Sequence, residues 1–116
     1  MNSEELKAAN SAIGLISKKW DLSVLVALQA ATRGHAELVR RTGLDRKQLT
    51  RVLRRLESAS LVHRSVDTAS SPVRVWYRLT KAGHQLLHLV VGFADWWEKG
   101  PAASAEAAEP RAACLV

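Results

Sequence analysis

The chain has 116 residues, 47% of them hydrophobic and 24% charged, with a formal net charge of +6. That length gives one domain with a modest core, which a partner subunit would help to cover. A single cysteine, Cys114, excludes an internal disulfide framework or a thiolate metal cluster within one chain, and no apolar run reaches the length of a membrane span.

In chain order, Asn2 or Ser3 can cap a first helix, with Glu4 and Glu5 well placed in its first turn. Leu6, Ala9, Ile13 and Ile16 mark one face of it, through about Ser17, and Gly14 interrupts it. This N-terminus has no cationic stretch followed by an apolar core, so no signal peptide is read and a cytoplasmic location is expected. Lys18 to Asp21 reads as a corner, with Asp21 as the cap of the next helix. Leu22 to Ala31 is apolar nearly all round, which predicts a central buried helix ended by Thr32-Arg33-Gly34.

Ala36 to Arg41 predicts a short helix closed by Thr42-Gly43-Leu44. Asp45 then sits at an N-cap position with Gln48 three residues on, a capping-box spacing. Leu49, Val52, Leu53 and Leu56 recur at the helical period, so this helix has one apolar stripe. Its opposite side is centred on Lys47, Arg51 and Arg54, flanked by Gln48 and Arg55 on one edge and Arg46 and Thr50 on the other. A helix, a tight glycine turn and a cationic helix form the helix-turn-helix pattern, which presents its second helix to the DNA major groove. A basic helix face is most often simply solvated. Here the charge is concentrated: Arg33 to Arg64 holds nine Lys/Arg against three acids, and the remainder of the chain balances. That concentration is the footprint of a polyanion-binding surface.

Ser58-Ala59-Ser60 breaks the helical period. Leu61 to Val66 and Val73 to Thr80 read as two strands joined by the turn residues Asp67 to Pro72, a hairpin placed as a wing. Thr80 is a candidate cap for a last helix, Lys81 to about Lys99, whose many apolar residues leave it little polar face. A two-fold dimer through the first and last helices, using Leu6, Ile13, Leu86, Val90, Phe93 and Trp97, is the expected way to cover them. Gly100-Pro101 stops that helix. The division expected is a domain over 1–99 and an alanine-rich, mobile tail over 100–116, whose Cys-Leu-Val end is one residue short of a prenylation box.

The fold expected is therefore mainly α with a small β-hairpin, a winged helix-turn-helix. Lys47, Gln48, Thr50 and Arg51 are the candidates to read base edges, and Arg51 suits a bidentate contact with guanine. Arg46, Arg54, Arg55, Arg64, Ser70, Ser71 and Arg74 are the candidates for phosphate. Trp20, Trp76, Trp96 and Trp97 are rich in indole for so short a chain. Beside a packing role, they could line a cleft for a flat hydrophobic or aromatic effector. Because Trp96 and Trp97 are adjacent on one helix, one is expected inward and the other towards a mate or ligand. His84 and His88 have a metal-compatible spacing but no third ligand nearby in sequence, so neither metal nor cofactor is expected. His35 and His63 are isolated. With no nucleophile elbow, phosphate-cradling loop or carboxylate–histidine arrangement, an enzyme is not expected.

The sequence also resembles the HxlR-type regulators, a branch of the MarR-like winged-helix proteins, over about Leu6 to Trp97. The resemblance is carried by Ile13-Gly14-Leu15-Ile16-Ser17-Lys18-Lys19-Trp20, Glu37-Leu38, Leu49 to Glu57, Leu61-Val62-His63-Arg64 and Tyr77-Arg78-Leu79-Thr80-Lys81-Ala82-Gly83. The last block, an aromatic residue then x-Leu-Thr-x-x-Gly, is the most specific. The resemblance implies a homodimer whose first and last helices form the interface and whose two basic helices read a palindromic operator. So small a chain has no evident polymerase-contacting module, and a repressor is therefore expected rather than an activator. The other reading is a winged-helix protein that sequesters a hydrophobic compound and uses DNA little. The chain departs from the family in three places. Lys7 stands where many members carry a redox-sensing cysteine, which removes a thiolate switch there. Ser17 and Lys18 replace the glycines of a Gly-Gly-Lys-Trp motif, and His35-Ala36 replaces an aromatic-Ser helix opening.

Overall fold

The structure is a computed structural model and describes residues 1–101. Its elements are α1 (Ser3–Gly14), α2 (Asp21–Ala27), β1 (Arg33–Gly34), α3 (His35–Thr42), α4 (Arg46–Ser58), β2 (Val62–Asp67), β3 (Arg74–Leu79) and α5 (Lys81–Lys99). It is the expected mainly helical, winged helix-turn-helix arrangement. Two compact units divide at His84–Gln85. The tail from residue 102 onward, with Cys114, lies outside the described residues.

Local chemistry accounts for the helix boundaries. Asn2 caps α1 in a reciprocal capping box with Glu5, the Glu5 amide donating to Asn2 Oδ1 at 2.8 Å. Asp45 does the same for α4 with Gln48, also at 2.8 Å. Between α3 and α4 the chain turns at Gly43, whose φ of 76° lies in the left-handed region. The Gly43 amide donates to Val39 O at 2.9 Å and closes α3. Thr42 Oγ1 donates to Leu38 O at 2.7 Å and accepts from the Leu44 amide, which tightens the same turn.

The core of the first unit is built on the predicted stripe of α4. Leu49, Val52, Leu53 and Leu56 are all buried, together with Val24, Leu25 and Leu28 at α2, Leu38 on α3, and Leu44, Leu61, Val62 and Leu79 around them. Each fully buried leucine or valine contributes about 1.5–3 kcal/mol before entropy is counted, so this stripe is the main reason α4 keeps its roll. The expected central helix is shorter than its apolar run. It ends at Ala27 rather than Ala31, and Val26 on its outer side is 57% exposed.

The wing holds more than a hairpin. β2 and β3 pair antiparallel from Val62↔Leu79 to Asp67↔Arg74, and β1 adds a third strand on the other edge of β3, with Gly34 opposite Trp76. Two residues carry no period-2 signal, which is why the sequence pattern missed β1. The turn at 68–73 contains a cis Ser71–Pro72 bond.

At the end of β3, Thr80 explains the Leu-Thr-x-x-Gly block. Its hydroxyl donates to Ser60 O at 2.6 Å and accepts from the Gly83 amide at 3.1 Å, so it caps α5 and ties that cap to the α4–β2 turn. Gly83 is buried against Leu61, and a Cβ there would overlap the Leu61 carbonyl.

In the second unit, Phe93 and Trp96 stack with centroids 5.6 Å apart, and Trp97 lies tilted against Trp96 at 6.3 Å. Trp96 and Trp97 are each 56% exposed. The contiguous apolar surface of α5 leaves the indoles to pack on one another.

Candidate nucleic-acid interface

α4 positions the site. Its buried stripe faces α2, α3 and β2, which turns Arg46, Lys47, Gln48, Arg51 and Arg54 to the surface. Arg46, Lys47, Thr50, Arg51 and Arg54 line a shallow groove of about 290 Å³ along the helix. Among the described residues, Arg46, Lys47, Arg51, Arg54, Arg64 and Arg74 make no ion pair, whereas three other arginines of the basic segment do. Arg33 and Arg41 share Glu37, at 2.7 and 3.1 Å, and Arg55 closes on Asp21 at 2.5 Å. These two bonds, that from Arg41 foremost, hold the Glu37 carboxyl below the ordinary glutamate range.

Several predicted contact residues are thus engaged elsewhere. Arg55, expected at a phosphate, reaches back to a carboxylate that is itself only 1% exposed. The partner was missed because Asp21 reads as a helix cap. In fact Trp20 holds the cap position without a side-chain bond, and Asp21 is the first residue inside α2, where it turns into the core. Thr50, expected at a base edge, is half-buried. Its hydroxyl donates to Arg46 O at 2.8 Å and lies 3.1 Å from His35 Nε2, which donates to it. Burial, and then the charge of Arg46, lower the His35 pKa and favour that neutral ring. Gln48 Oε1 accepts from the Asp45 amide at 3.4 Å as part of the capping box, so a two-point contact with adenine requires that weak bond to open.

On the wing, Arg64 and Arg74 are exposed as expected. Arg64 and Tyr77 face α4 across a polar cavity of about 350 Å³ that Thr50, Leu53, Arg54 and Glu57 complete. Ser70, expected at a phosphate, donates its hydroxyl to Asp67 Oδ2 at 2.6 Å, and this bond is the main cause of the lowered Asp67 pKa. Ser71 remains exposed beside it. Trp20 and Trp76 are half-buried in the first unit, and Lys19 Nζ sits 4.7 Å over the Trp20 ring. Among the described residues, no three His, Cys, Asp or Glu side chains gather as a metal site, and no helix is long and apolar enough to cross a membrane.

The comparisons with known proteins agree with this geometry. The family model described as HxlR-like helix-turn-helix matches residues 15–103. The chain belongs to the HxlR-like helix-turn-helix family. This HxlR-like chain is 33% identical over 94 residues to an HTH-type transcriptional regulator of Methanothermobacter thermautotrophicus, covering 80% of this chain and 71% of that one. It is 32% identical over 95 residues to one of Mycobacterium bovis, covering 82% of this chain, and it spans only 60% of that mycobacterial relative's length. Among solved structures, a regulator of the MarR family from Enterococcus faecalis V583 superposes with a TM-score of 0.81 at 32% identity, covering 91% of this chain and 96% of that one. The winged-helix resemblance read from the sequence is thereby shown.

Proposed function

We propose that this HxlR-like protein is a sequence-specific, double-stranded DNA-binding transcription regulator that acts as a homodimer on a palindromic operator, as a repressor. The observation that carries the reading is the row of cations on the exposed face of α4, Arg46, Lys47, Arg51 and Arg54, which make no ion pair among the described residues, whereas Arg33, Arg41 and Arg55 of the same basic segment do. In this reading Lys47, Gln48 and Arg51 meet base edges, with Arg51 bidentate on guanine, and the Thr50 methyl lies beside them. Arg46, Arg54, Arg64, Arg74 and Ser71 hold phosphates, while Arg55 and Ser70 support the elements that carry them. Homodimer formation is supported by exposed apolar side chains: Leu6 and Ile13 on α1, at 54% and 58%, and Phe93 and Trp97 on α5, at 62% and 56%. Leu86 and Val90, less exposed, complete the expected contact set. A hydrophobic or aromatic effector that releases DNA is part of the proposal.

The experiment is fluorescence anisotropy with DNA flanking the protein's own gene and with random DNA, across a salt series. Affinity should fall steeply with salt and leave a sequence-specific remainder of order 10⁻⁸ M at physiological salt. Arg51→Ala should weaken the specific complex by about 1–3 kcal/mol and the random complex far less. Equal losses on both DNAs would assign Arg51 to backbone alone. Binding that is absent, or indifferent to salt, would refute the DNA reading.

A further inference from the structure

Thr50 stands among the cations of α4, yet its hydroxyl is committed within the protein. The residue lies one position before Arg51 and one helical turn from Lys47 and Arg54, and it lines the groove they share. A hydroxyl carries one proton, and that of Thr50 goes to Arg46 O at 2.8 Å, along its own helix. Its oxygen then accepts from His35 Nε2, 3.1 Å away on the first residue of α3. A helical threonine ordinarily divides between two χ1 rotamers, because its hydroxyl can reach a carbonyl of the preceding turn. The bond from His35 serves only the rotamer whose oxygen faces α3. With the oxygen held on that side, the methyl group is the part of Thr50 left to the groove. Apolar contact with the C5-methyl of thymine is how a threonine distinguishes a base without its hydroxyl.

We propose that Thr50 reads the C5-methyl of a thymine through its own methyl group, and that His35 is the positioning residue that selects the rotamer presenting it. The base contact rests on the function proposed above; the selection of the rotamer does not. α4 then reads by two kinds of chemistry, Arg51 through the hydrogen-bonding edge of guanine and Thr50 through a hydrocarbon contact. A residue of α3 that touches no base in this reading thereby alters which base α4 prefers.

The test uses DNA flanking the protein's own gene, prepared once with thymine and once with uracil throughout, so that the two duplexes differ only in methyl groups. Random DNA prepared in both forms gives the baseline. Fluorescence anisotropy compares wild type, Thr50→Ser, His35→Phe and His35→Gln, with circular-dichroism melts to check that each variant folds. Serine keeps the hydroxyl and loses the methyl; phenylalanine keeps a ring and loses the donor; glutamine keeps a donor at similar reach. Wild type should prefer the thymine form of its site by at least roughly fourfold, the worth of one buried methyl group. Thr50→Ser should bring that ratio down to the random-DNA baseline, His35→Phe should lose most of it, and His35→Gln should keep it. Equal binding of both forms by wild type, or the wild-type ratio in Thr50→Ser, overturns the thymine contact while leaving the DNA reading in place. The wild-type ratio in His35→Phe overturns the positioning role. Absence of salt-dependent binding to any of these DNAs overturns the thymine contact together with the DNA reading. The rotamer is decided without DNA: three-bond NMR couplings to the Thr50 methyl carbon should report one χ1 well in wild type and averaging in His35→Phe. Averaging in wild type, or a single well in both, overturns selection by His35.

Discussion

Replacing Arg55 by methionine should destabilise the protein more than replacing Asp21 by asparagine, although the two substitutions break the same ion pair. The asymmetry follows from where each partner sits. The Asp21 side chain is 2% exposed and that of Arg55 is 43% exposed. Without Arg55, a carboxylate is stranded in the core, and an uncompensated buried charge costs about 3–5 kcal/mol. Because the guanidinium is partly exposed, solvent already screens part of the attraction that is lost, so the lower end, about 3 kcal/mol, is expected. Without Asp21, the guanidinium can turn to solvent, and the loss is that of one charge-assisted hydrogen bond, about 1.5 kcal/mol. Asp21→Asn introduced into the Arg55→Met background should therefore restore stability rather than reduce it further. Urea unfolding followed by circular dichroism at one protein concentration measures this, as midpoint shifts at constant slope. At roughly 4 °C per kcal/mol, the Arg55→Met melting temperature should fall by about 12 °C. If Asp21→Asn costs as much as Arg55→Met, or if the double variant is the least stable of the three, the argument from burial is wrong.

Three further outcomes are expected. Gly83→Ala should cost about 1–3 kcal/mol in the same urea assay, because its methyl overlaps the Leu61 carbonyl, and a neutral result would mean that the chain shifts there freely. His35 has a folded pKa below its ordinary 6.5, so the unfolded chain takes up its proton first, and stability should fall as the pH drops below about 6.5. His35→Gln should flatten that part of the stability–pH curve; an unchanged slope would clear His35 of the effect. Arg74→Ala should lower the slope of log affinity against log salt by roughly 0.9, the signature of one lost phosphate contact, and should do so equally on specific and random DNA.

The sequence was most legible where one local rule acted alone. The α4 stripe, the Asp45–Gln48 box, the Gly43 turn and the limits of α5 each follow from neighbouring residues, and each stands as read. What escaped were pairings across the chain. Asp21 and Arg55 are 34 positions apart, and His35 and Thr50 are 15 apart. Periodicity reports which face a residue occupies, not which distant side chain waits there. Thus Arg55 and Thr50 could be placed on the edges of the cationic face, but not seen to be engaged. The acid at the head of an apolar helix was the one available signal for the first pairing, and it has an equally good local reading as a cap. For β1 there was none.

That two-residue strand has a mechanical consequence. Arg33 and Gly34 lead straight into α3 while bonded to β3, so the hairpin is riveted to the front of the helical pair instead of hinging on its own stalk. Changes at the far turn can then alter how far the arm reaches without swinging its root. Reach and aim are set by separate parts of the chain, and each can be altered while the other holds.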